Sequence, residues 1–386
     1  MPTGRFLFAI WQSGGGTQPM LGTVRLLAER GHRVDVLAPR AHRERTEAAG
    51  GSWLPLPAAC EFDPTLGRAL EDQFETFLRH VLWGSTPATA LLAAAAERRP
   101  HAIVVDHQLR TMLVAAHATG APVAVFAHTA CRYHGRHDPD WWRADAELLD
   151  AAVVPLGLAA VGAPDGPVSR ELMRRSDLVL VAMPFEFDPW QDETLAIVHA
   201  GPIFEEADAA LAAPPSLPGG EGPLVVVSLS SQYMHQEDLL RQILSALSEL
   251  SVRIVVTTGN ELDAAELELP PHALAYPYVP HRALLPHADL VVTHGGMGTI
   301  MAAFTCGVPL VVIPLGRDQP GNAARVEELG AGLSLPSGAD SRAIRAAAAD
   351  ALADDGLRRA ARRMQRVVEG YGGGERAVAA LEALLQ

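Results

Sequence analysis

A glycine-rich turn between an apolar run and a helical pattern contains the residues with the clearest chemical signature. The turn reads HGGMGT from His294 to Thr299 and follows the apolar run Leu290–Thr293. Glycines let the backbone turn sharply and approach a ligand closely. The first N–H groups of a helix lack intrahelical partners and attract anions, and His294 and Thr299 add two donors. The pattern predicts a phosphate or diphosphate site, and the alternative is a tight turn without a ligand.

A second set of side chains is suited to proton transfer. Asp106 directly follows the apolar run Ile103–Val105, and His128 follows the run Val123–Ala127. Because parallel strands end at the same edge of a sheet, where ligands bind, both side chains are expected near one ligand. A group whose pKa lies near the working pH serves best as a general base, so Asp106 and His128 are the catalytic candidates. Three more histidines are either further bases or ordinary surface and core residues: His107, His134 and His137.

The elements that would position these residues alternate between apolar runs and amphipathic segments, which is typical of a parallel sheet with crossover helices. The first half has five predicted strands, of which the fifth is expected to be the last: Phe6–Trp11, Arg33–Ala38, Ile103–Val105, Val123–Ala127 and Asp177–Ala182. The second half has four: Leu224–Ser228, Arg253–Thr257, Leu290–Thr293 and Val308–Ile313. Helices are predicted at Pro19–Arg30 and Thr111–Ala118, and two final helices within Ser341–Gln386.

A segment rich in Pro, Gly and Ala separates the two halves. It spans 205–223 and lacks strand periodicity, which indicates an interdomain linker. The predicted organisation is therefore an α/β protein with one doubly wound domain at 1–204 and another at 224–386. Whether the last helix packs back on the first domain is left open.

Composition excludes several classes of function. The 386 residues have a formal net charge of −14, and all the basic side chains other than histidine are arginines. An acidic chain is a poor partner for nucleic acid or for an anionic membrane surface. The first apolar run, Phe6–Trp11, is too short for a signal peptide or a membrane span, so we expect a cytoplasmic protein. Three scattered cysteines predict neither a disulfide framework nor a zinc site: Cys60, Cys131 and Cys306.

Four motifs in order resemble the donor signature of the GT-B fold, family 1 glycosyltransferases, and among them the bacterial natural-product enzymes. The motifs are Tyr278-Val279-Pro280-His281, His294-Gly295-Gly296, Gly307-Val308-Pro309 and Asp318-Gln319-Pro320-Gly321-Asn322-Ala323. The resemblance implies two Rossmann-like parallel-sheet domains facing a cleft. It also implies a nucleotide-sugar co-substrate, a dTDP-sugar or a UDP-sugar, and no other cofactor.

The resemblance assigns a role to each matching position. The implied roles are nucleobase binding by Tyr278 and Val279, diphosphate binding by His294, Gly295, Gly296, Gly298, Thr299 and Ser230, and donor-sugar binding by Asp318 and Gln319. Tyr278 is alternatively ordinary interface packing, and Asp318 is alternatively a helix cap.

Two positions depart from the family pattern. Ala302 stands where plant-type members have a glutamate that binds the ribose hydroxyls, which favours a deoxythymidine diphosphate donor. Gly16 stands where the family usually has a histidine base, in the run Gly14-Gly15-Gly16-Thr17-Gln18-Pro19. Glycine cannot accept a proton, so the base is expected elsewhere, with Asp106 and His128 as the first candidates.

The sequence thus predicts an inverting glycosyltransferase that moves a sugar, expected to be a deoxysugar, onto a small apolar natural product such as an aromatic polyketide or a macrolide. The candidate acceptor residues are Trp83, Trp141 and His134. No Asp-x-Asp pair ends a predicted strand, so no metal is expected. One alternative is a non-catalytic homologue that binds nucleotide and activates a partner transferase; another is a nucleotide-sugar epimerase, which the Asp318-Gln319 pair disfavours. The sequence does not decide whether the protein is a homodimer.

Overall fold

The chain divides into two units, each built around its own parallel sheet. The computed structural model describes residues 3–11, 15–61, 77–131, 139–162, 165–205, 215–230, 234–259 and 267–386. The first unit contains the described residues up to Glu205 together with Tyr371–Gln386, and the second contains those from 215 to Gly370. The end of the predicted domain 224–386 therefore belongs to the first unit.

The sheet of the first unit has seven described strands, all paired in parallel in the order β3-β2-β1-β4-β5-β6-β7. They are β1 Arg5–Ala9, β2 Arg33–Ala38, β3 Ser52–Pro55, β4 Ala102–Asp106, β5 Val123–Ala127, β6 Leu178–Val181 and β7 Ile197–His199. Its described α-helices are α1 Thr17–Glu29, α2 Arg43–Ala48, α3 Ser85–Arg98, α4 Arg110–Ala118, α5 Pro139–Val153, α6 Val168–Arg174 and, from the chain end, α13 Glu375–Ala383. Short 3-10 turns occupy Arg40–His42, Ala58–Cys60 and Val154–Leu156, and a π-helical turn occupies Phe77–Leu82.

The sheet of the second unit has six described strands in the parallel order β10-β9-β8-β11-β12-β13. They are β8 Leu224–Ser228, β9 Arg253–Thr257, β10 Ala273–Tyr276, β11 Leu290–Thr293, β12 Leu310–Val312 and β13 Gly332–Ser334. The described helices of this unit are α7 Glu237–Ser248, α8 His281–Leu284, α9 Met297–Cys306, α10 Gln319–Glu328, α11 Ser341–Ala353 and α12 Asp355–Glu369, with a 3-10 turn at Leu285–His287.

These two sheets confirm the predicted α/β architecture, and the strands that the sequence missed share one property. Each is an edge strand: β3 and β7 in the first sheet, β10 and β13 in the second. An interior parallel strand is covered on both faces and forms a continuous apolar run, whereas β7 is only partly buried along its length. The prediction that Asp177–Ala182 is the last strand of its half was wrong, because β7 pairs beyond β6.

Two other predictions need correction. The helix expected at Pro19–Arg30 begins at Thr17, since a proline is tolerated in the first turn, where its missing N–H costs nothing. The region expected to hold two final helices contains α11, α12 and α13, because Asp354 caps a new helix immediately after α11. None of the helices in the described ranges is long and apolar enough to cross a membrane. All three cysteines are unpaired.

The strand order reverses once in each sheet, and these two places hold the candidate residues. In the first unit the reversal lies between β1 and β4, where Ala9 is in register with Val105. In the second it lies between β8 and β11, where Ser228 is in register with Thr293. Crevices at such reversals, beyond the carboxyl ends of the strands, are where doubly wound sheets bind ligands. The fold therefore brings the acid–base candidates to one such crevice and the glycine turn to the other.

The last helix completes the core of the first unit. Val378 and Leu381 of α13 are fully buried in the cluster that covers one face of the first sheet. Buried polar contacts also hold α13: Glu382 accepts from Arg30 at 2.9 Å and pairs with His32 Nε2 at 3.0 Å. The chain end is thus a structural part of the unit that its first residues begin.

We predict that Leu381→Ala destabilises the first unit by about 2–5 kcal/mol, because it removes a fully buried side chain and leaves a cavity. Urea unfolding followed by a signal from the first unit measures this change. Ala379→Ser, on the exposed side of the same helix, is the control and is expected to change the free energy of unfolding by less than about 0.5 kcal/mol. Equal stabilities for the two variants would contradict a core role for α13.

Candidate active site

Three side chains form a buried acid–base cluster at the ends of β4 and β5. The Asp106 carboxylate is 0% exposed and lies 3.1 Å from His128 Nε2 through its Oδ2 atom. Its Oδ1 atom lies 3.3 Å from His107 Nδ1. The two imidazole rings meet edge to face with their centroids 4.5 Å apart. The structure thus brings together the two predicted catalytic residues, Asp106 and His128, and adds His107 to them.

The cluster keeps Asp106 ionised despite its burial. Burial raises the pKa of this carboxyl. The charge of a protonated His128, together with hydrogen bonds from His107 and His128, lowers the pKa by more than burial raises it, so the net pKa lies below the usual range. Burial lowers the pKa of His107, and the charge of His128 lowers it again. The Gln108 backbone N–H also donates to Asp106 Oδ1 at 3.0 Å. A carboxylate fixed in this way can hold one tautomer and one orientation of a neighbouring imidazole.

The glycine loop that lacks the usual histidine lies against His128. A Cβ atom added to Gly15 would stand 3.9 Å from His128 Nδ1. His128 therefore directs Nε2 toward Asp106 and Nδ1 toward the loop that ends at Gly16, the residue before α1. Residues 12–14 of this loop lie outside the described residues.

In the second unit, two of the three glycines of the HGGMGT turn have a steric reason and the third does not. Gly295 has φ +90°, in the left-handed region, and a Cβ there would also stand 2.8 Å from Val312. A Cβ on Gly296 would stand 2.6 Å from His294 Nε2, so this glycine makes room for the imidazole. Gly298, in the first turn of α9, has no described atom within 4 Å of its Cβ position. The turn is closed by contacts at Gly295 and Gly296 and open at Gly298.

The helix that follows the turn leaves its N-terminus available to an anion. Among the described residues, no side chain caps α9, whose N-cap residue is Gly296. Thr299 is buried in the first turn, and its backbone N–H donates to the Gly296 carbonyl at 3.1 Å. The N–H groups of a first turn carry partial positive charge and form anion sites.

His294 lies beside this N-terminus as a neutral imidazole. Burial lowers its pKa to about 4, a hydrogen bond to the Ser228 backbone opposes the decrease, and the charge of Arg317 adds to it, as does that of His281 when protonated. His281 pairs with Ser228 Oγ at 2.9 Å, and Thr257 donates to the same oxygen at 2.9 Å. Burial lowers the pKa of His281 to about 4 as well. The carboxyl end of the second sheet therefore contains a network of uncharged hydrogen-bonding side chains.

The remaining donor candidates lie on loops around this network. The side chain of Gln319 is turned back on its own loop, where Oε1 accepts from the backbone N–H groups of Leu315 and Gly316 at 2.8 and 3.1 Å. Asp318 accepts from Asn322 at 2.9 Å and is the N-cap residue of α10, although its side chain makes no cap hydrogen bond there. The structure thus gives Gln319 a role in shaping the loop that contains the predicted sugar-binding pair.

Tyr278 and Ser230 differ in exposure. Tyr278 is 66% exposed, so its ring offers a face to a ligand, while the following Val279 is buried. Ser230 is buried, and the side-chain amide of Gln236 holds its backbone from both sides, accepting from its N–H at 2.9 Å and donating to its carbonyl at 2.7 Å. This reciprocal pair joins Ser230 to Gln236, the N-cap residue of α7.

Comparison with known proteins finds relatives of both halves of the chain. Residues 241–370 match the family model of the erythromycin biosynthesis protein CIII-like C-terminal domain, and residues 14–188 match the glycosyl transferase 4-like domain. The demethyllactenocin mycarosyltransferase of Streptomyces fradiae is 29% identical over 98% of this chain and 86% of its own length. NDP-glycosyltransferase YjiC of Bacillus subtilis (strain 168) is 27% identical over 96% of this chain and 95% of its own.

The solved structure of the glycosyltransferase of kitacinnamycin superposes with a TM-score of 0.82 at 25% identity and covers the whole of both chains. The chain is a GT-B glycosyltransferase. Its two doubly wound sheets are the two domains of that fold, and the predicted family is confirmed.

Sequence reasoning missed backbone strain in two loops that follow strands of the second sheet. Among the described residues, three that are not glycine have positive φ, and two of them are His235, φ +51°, and Arg317, φ +58°. Both lie in loops that follow strands of the second sheet, and Arg317 is close enough to lower the pKa of His294. Such strain costs about 1–3 kcal/mol and is concentrated at functional sites. No motif could reveal this strain, because the backbone dihedrals of an arginine or a histidine do not follow from its residue type.

The acceptor candidates are only partly described. The indole N–H of Trp83 donates to Asp145 Oδ1 at 2.8 Å, and the same oxygen pairs with Arg110. Trp83 thus belongs to a polar network between the π-helical turn, α4 and α5. His134 and His137, and the side chain of Trp141, lie outside the described residues.

We predict that the second unit loses stability as the pH falls from about 6.5 to about 4. His294 has a pKa near 4 when folded and 6.5 as its ordinary value, so the unfolded chain binds more protons in this window. Its share is on the order of 3 kcal/mol. Urea unfolding at a series of pH values measures the loss; His294→Gln should reduce it, whereas exposed His287→Gln should not. The same loss in both variants would contradict the lowered pKa.

Proposed function

We propose that this glycosyltransferase moves a sugar, as a dTDP-deoxysugar, onto a nucleophilic oxygen or carbon of a small apolar natural product, with inversion at the anomeric carbon. The names of its relatives support the class of reaction: one is a mycarosyltransferase that acts on demethyllactenocin, and another is an NDP-glycosyltransferase. In this proposal the second unit binds the donor, and the first binds and deprotonates the acceptor.

The observation that supports the proposal best is the position of His128. Its Nε2 atom lies 3.1 Å from Asp106, and its Nδ1 atom faces the glycine loop where the family's histidine would stand. A histidine oriented by a buried carboxylate is the usual composition of a general-base pair. His128 would therefore supply, from the end of β5, the proton acceptor that Gly16 cannot.

The proposed step is a single displacement. A lone pair of the acceptor attacks the anomeric carbon while the bond from that carbon to the diphosphate oxygen breaks. The acceptor proton passes to His128 Nδ1, and the Nε2–H of the resulting imidazolium is stabilised by Asp106. The nucleoside diphosphate leaves with the electron pair of the broken bond. A general base of this kind typically contributes about 10²–10⁴ in rate.

The leaving diphosphate gains negative charge as the bond breaks, and the second unit has three groups suited to stabilise it. They are the uncapped N-terminus of α9, the neutral imidazole of His294 and the cationic Arg317. Preorganised donors aimed at developing charge are usually the largest single catalytic contribution. The proposal needs no metal in the transfer step because these groups carry that role.

The choice of thymidine rests on Ala302. This residue is 1% exposed in α9, so the position supplies no carboxylate and almost no surface to a ligand. A ribose 2′-hydroxyl would find no hydrogen-bond acceptor from this residue, whereas a deoxyribose needs none, which favours dTDP by up to about 1 kcal/mol.

The alternative is a nucleotide-binding homologue without activity, which activates a partner transferase. That hypothesis arose from the missing histidine at Gly16, and the Asp106–His128 pair removes its main motivation. The two functions differ in one observable: an enzyme forms product or slowly hydrolyses its donor, while an auxiliary homologue binds nucleotide and leaves it intact.

We predict that His128→Ala and Asp106→Asn each lower kcat by about 10²–10⁴ with little change in KM for the donor, because both act on the acceptor proton. The assay pairs dTDP- and UDP-sugars with aromatic and macrolide aglycones and detects the product by mass spectrometry. His117→Ala is the control, since His117 pairs with Ser176 away from the cluster. Full activity of both variants would exclude this base, and donor binding without product from any pair would favour the auxiliary alternative.

We also predict that two neighbouring glycines separate structure from donor binding. Gly298→Ala places a methyl group in open space at the helix N-terminus, so it should preserve stability and weaken nucleoside diphosphate binding at least tenfold. Gly296→Ala displaces the His294 ring and should reduce both stability and binding. Thermal unfolding and calorimetry with dTDP measure the two effects. Unchanged dTDP affinity in Gly298→Ala would move the diphosphate away from this turn.

A further inference from the structure

The acid–base cluster also has the composition and spacing of a metal site. Asp106, His107 and His128 each offer one ligand atom, and these atoms all lie within 4.8 Å of one another. Asp106 Oδ1 lies 3.3 Å from each of the two imidazole nitrogens, His107 Nδ1 and His128 Nε2, and Oδ2 lies 3.1 Å from His128 Nε2. Ligands about 2.0–2.2 Å from a tetrahedral Zn²⁺ ion stand about 3.3–3.6 Å apart. Small shifts would therefore admit an ion.

One oxygen of the Asp106 carboxylate, Oδ2, is available to bind an ion. Asp106 Oδ2 is buried and accepts no hydrogen bond from any described residue, although His128 Nε2 is only 3.1 Å away. The hydrogen bond from that ring is made to Oδ1 instead, at 3.3 Å. A buried carboxylate oxygen that faces an imidazole nitrogen without a hydrogen bond is costly, and a cation between the two atoms would satisfy both.

Outer contacts hold two of the three ligands as they do in metal sites. His107 Nε2 pairs with Thr129 Oγ1 at 3.1 Å, which leaves Nδ1 as the atom that points to Asp106. The Gln108 backbone N–H fixes the Asp106 carboxylate through Oδ1. Such second contacts set the tautomer and the ring orientation of metal-bound histidines.

The ligand set selects the type of ion. Two imidazoles and one carboxylate suit Zn²⁺, Co²⁺, Ni²⁺ and Fe²⁺ better than Mg²⁺ or Ca²⁺, which prefer oxygen. Three protein ligands leave a fourth position for water or for a substrate atom. Gly15, which is exposed and has no side chain, lies against the cluster at His128.

We propose that Asp106, His107 and His128 bind a divalent transition-metal ion of the Zn²⁺ class, and that this ion inhibits sugar transfer. Binding stands on the geometry of the cluster; inhibition rests on the proposed function of His128. A metal on Nε2 displaces the proton from that nitrogen and leaves it on Nδ1. Because Nδ1 is the atom proposed to accept the acceptor proton, the metal-bound enzyme has no base.

The test uses Co²⁺ as a spectroscopic probe on the full chain, without nucleotide, because a diphosphate chelates metals. Tetrahedral Co²⁺ should give visible absorption bands that saturate at one ion per chain and disappear when Zn²⁺ is added. His107→Ala and Asp106→Asn should each weaken binding at least a hundredfold, and Thr129→Val about tenfold by loss of the outer contact. His117→Ala is the matched control and should bind as the native protein does.

Circular dichroism and thermal unfolding establish that each variant is folded. The absence of saturable bands in the native protein, or the same affinity in His107→Ala, would overturn the metal site. Inhibition is measured separately, as the ratio of transfer rates with and without buffered free Zn²⁺, and His107→Ala should lose this inhibition. If Co²⁺ binds at the cluster but Zn²⁺ leaves transfer unchanged, the assignment of His128 as the base fails while binding stands. If metal does not bind but His128→Ala still abolishes transfer, the metal site fails while the assignment of His128 as the base stands.

Discussion

The arrangement of the candidate active site in the first unit depends on the buried carboxylate of Asp106. Asp106 is fully buried at the end of a central strand, and the cost of burying a charge is offset only when partners surround it. The partners come from the two nearest sources that the fold offers: the next residue in the chain, His107, and the end of the neighbouring strand, His128. The orientation of both imidazoles therefore follows from one electrostatic requirement, and the proposed proton transfer and metal binding by the cluster depend on that orientation.

In the proposed function, the second unit binds a negative charge without a buried positive one. Burial lowers the pKa of His281 and of His294 to about 4, so the proposed donor site is built from N–H groups, hydroxyls and a helix end. Arg317, on a strained loop, is a cation close enough to lower the pKa of His294 as well. Neutral donors bind an anion and release it more readily than a fixed cluster of charges does. This would suit a site that releases its nucleotide after every reaction.

The sequence revealed the interior of each sheet and not its edges. Apolar runs located β2, β5, β8, β9 and β11 to the residue, since strands covered on both faces have no polar alternation. The pairing of Asp106 with His128 followed from topology alone, because two adjacent parallel strands must end together. The roles of His107 and of Trp83 did not follow. The first depends on a ring orientation and the second on a contact with Asp145, and neither is visible as a spacing.

The return of the chain end to the first unit has a consequence for biosynthesis. A ribosome makes Arg30 and His32 about 350 residues before their partner Glu382. Domains usually fold in the order of their synthesis, N-terminal first, but here the hydrophobic core of the first unit stays incomplete until Leu381 has been translated. The second unit has all of its residues before the first does. The second unit should therefore fold before the first, and a stop codon between Gly370 and Leu381 would damage the first unit and leave the second unit complete.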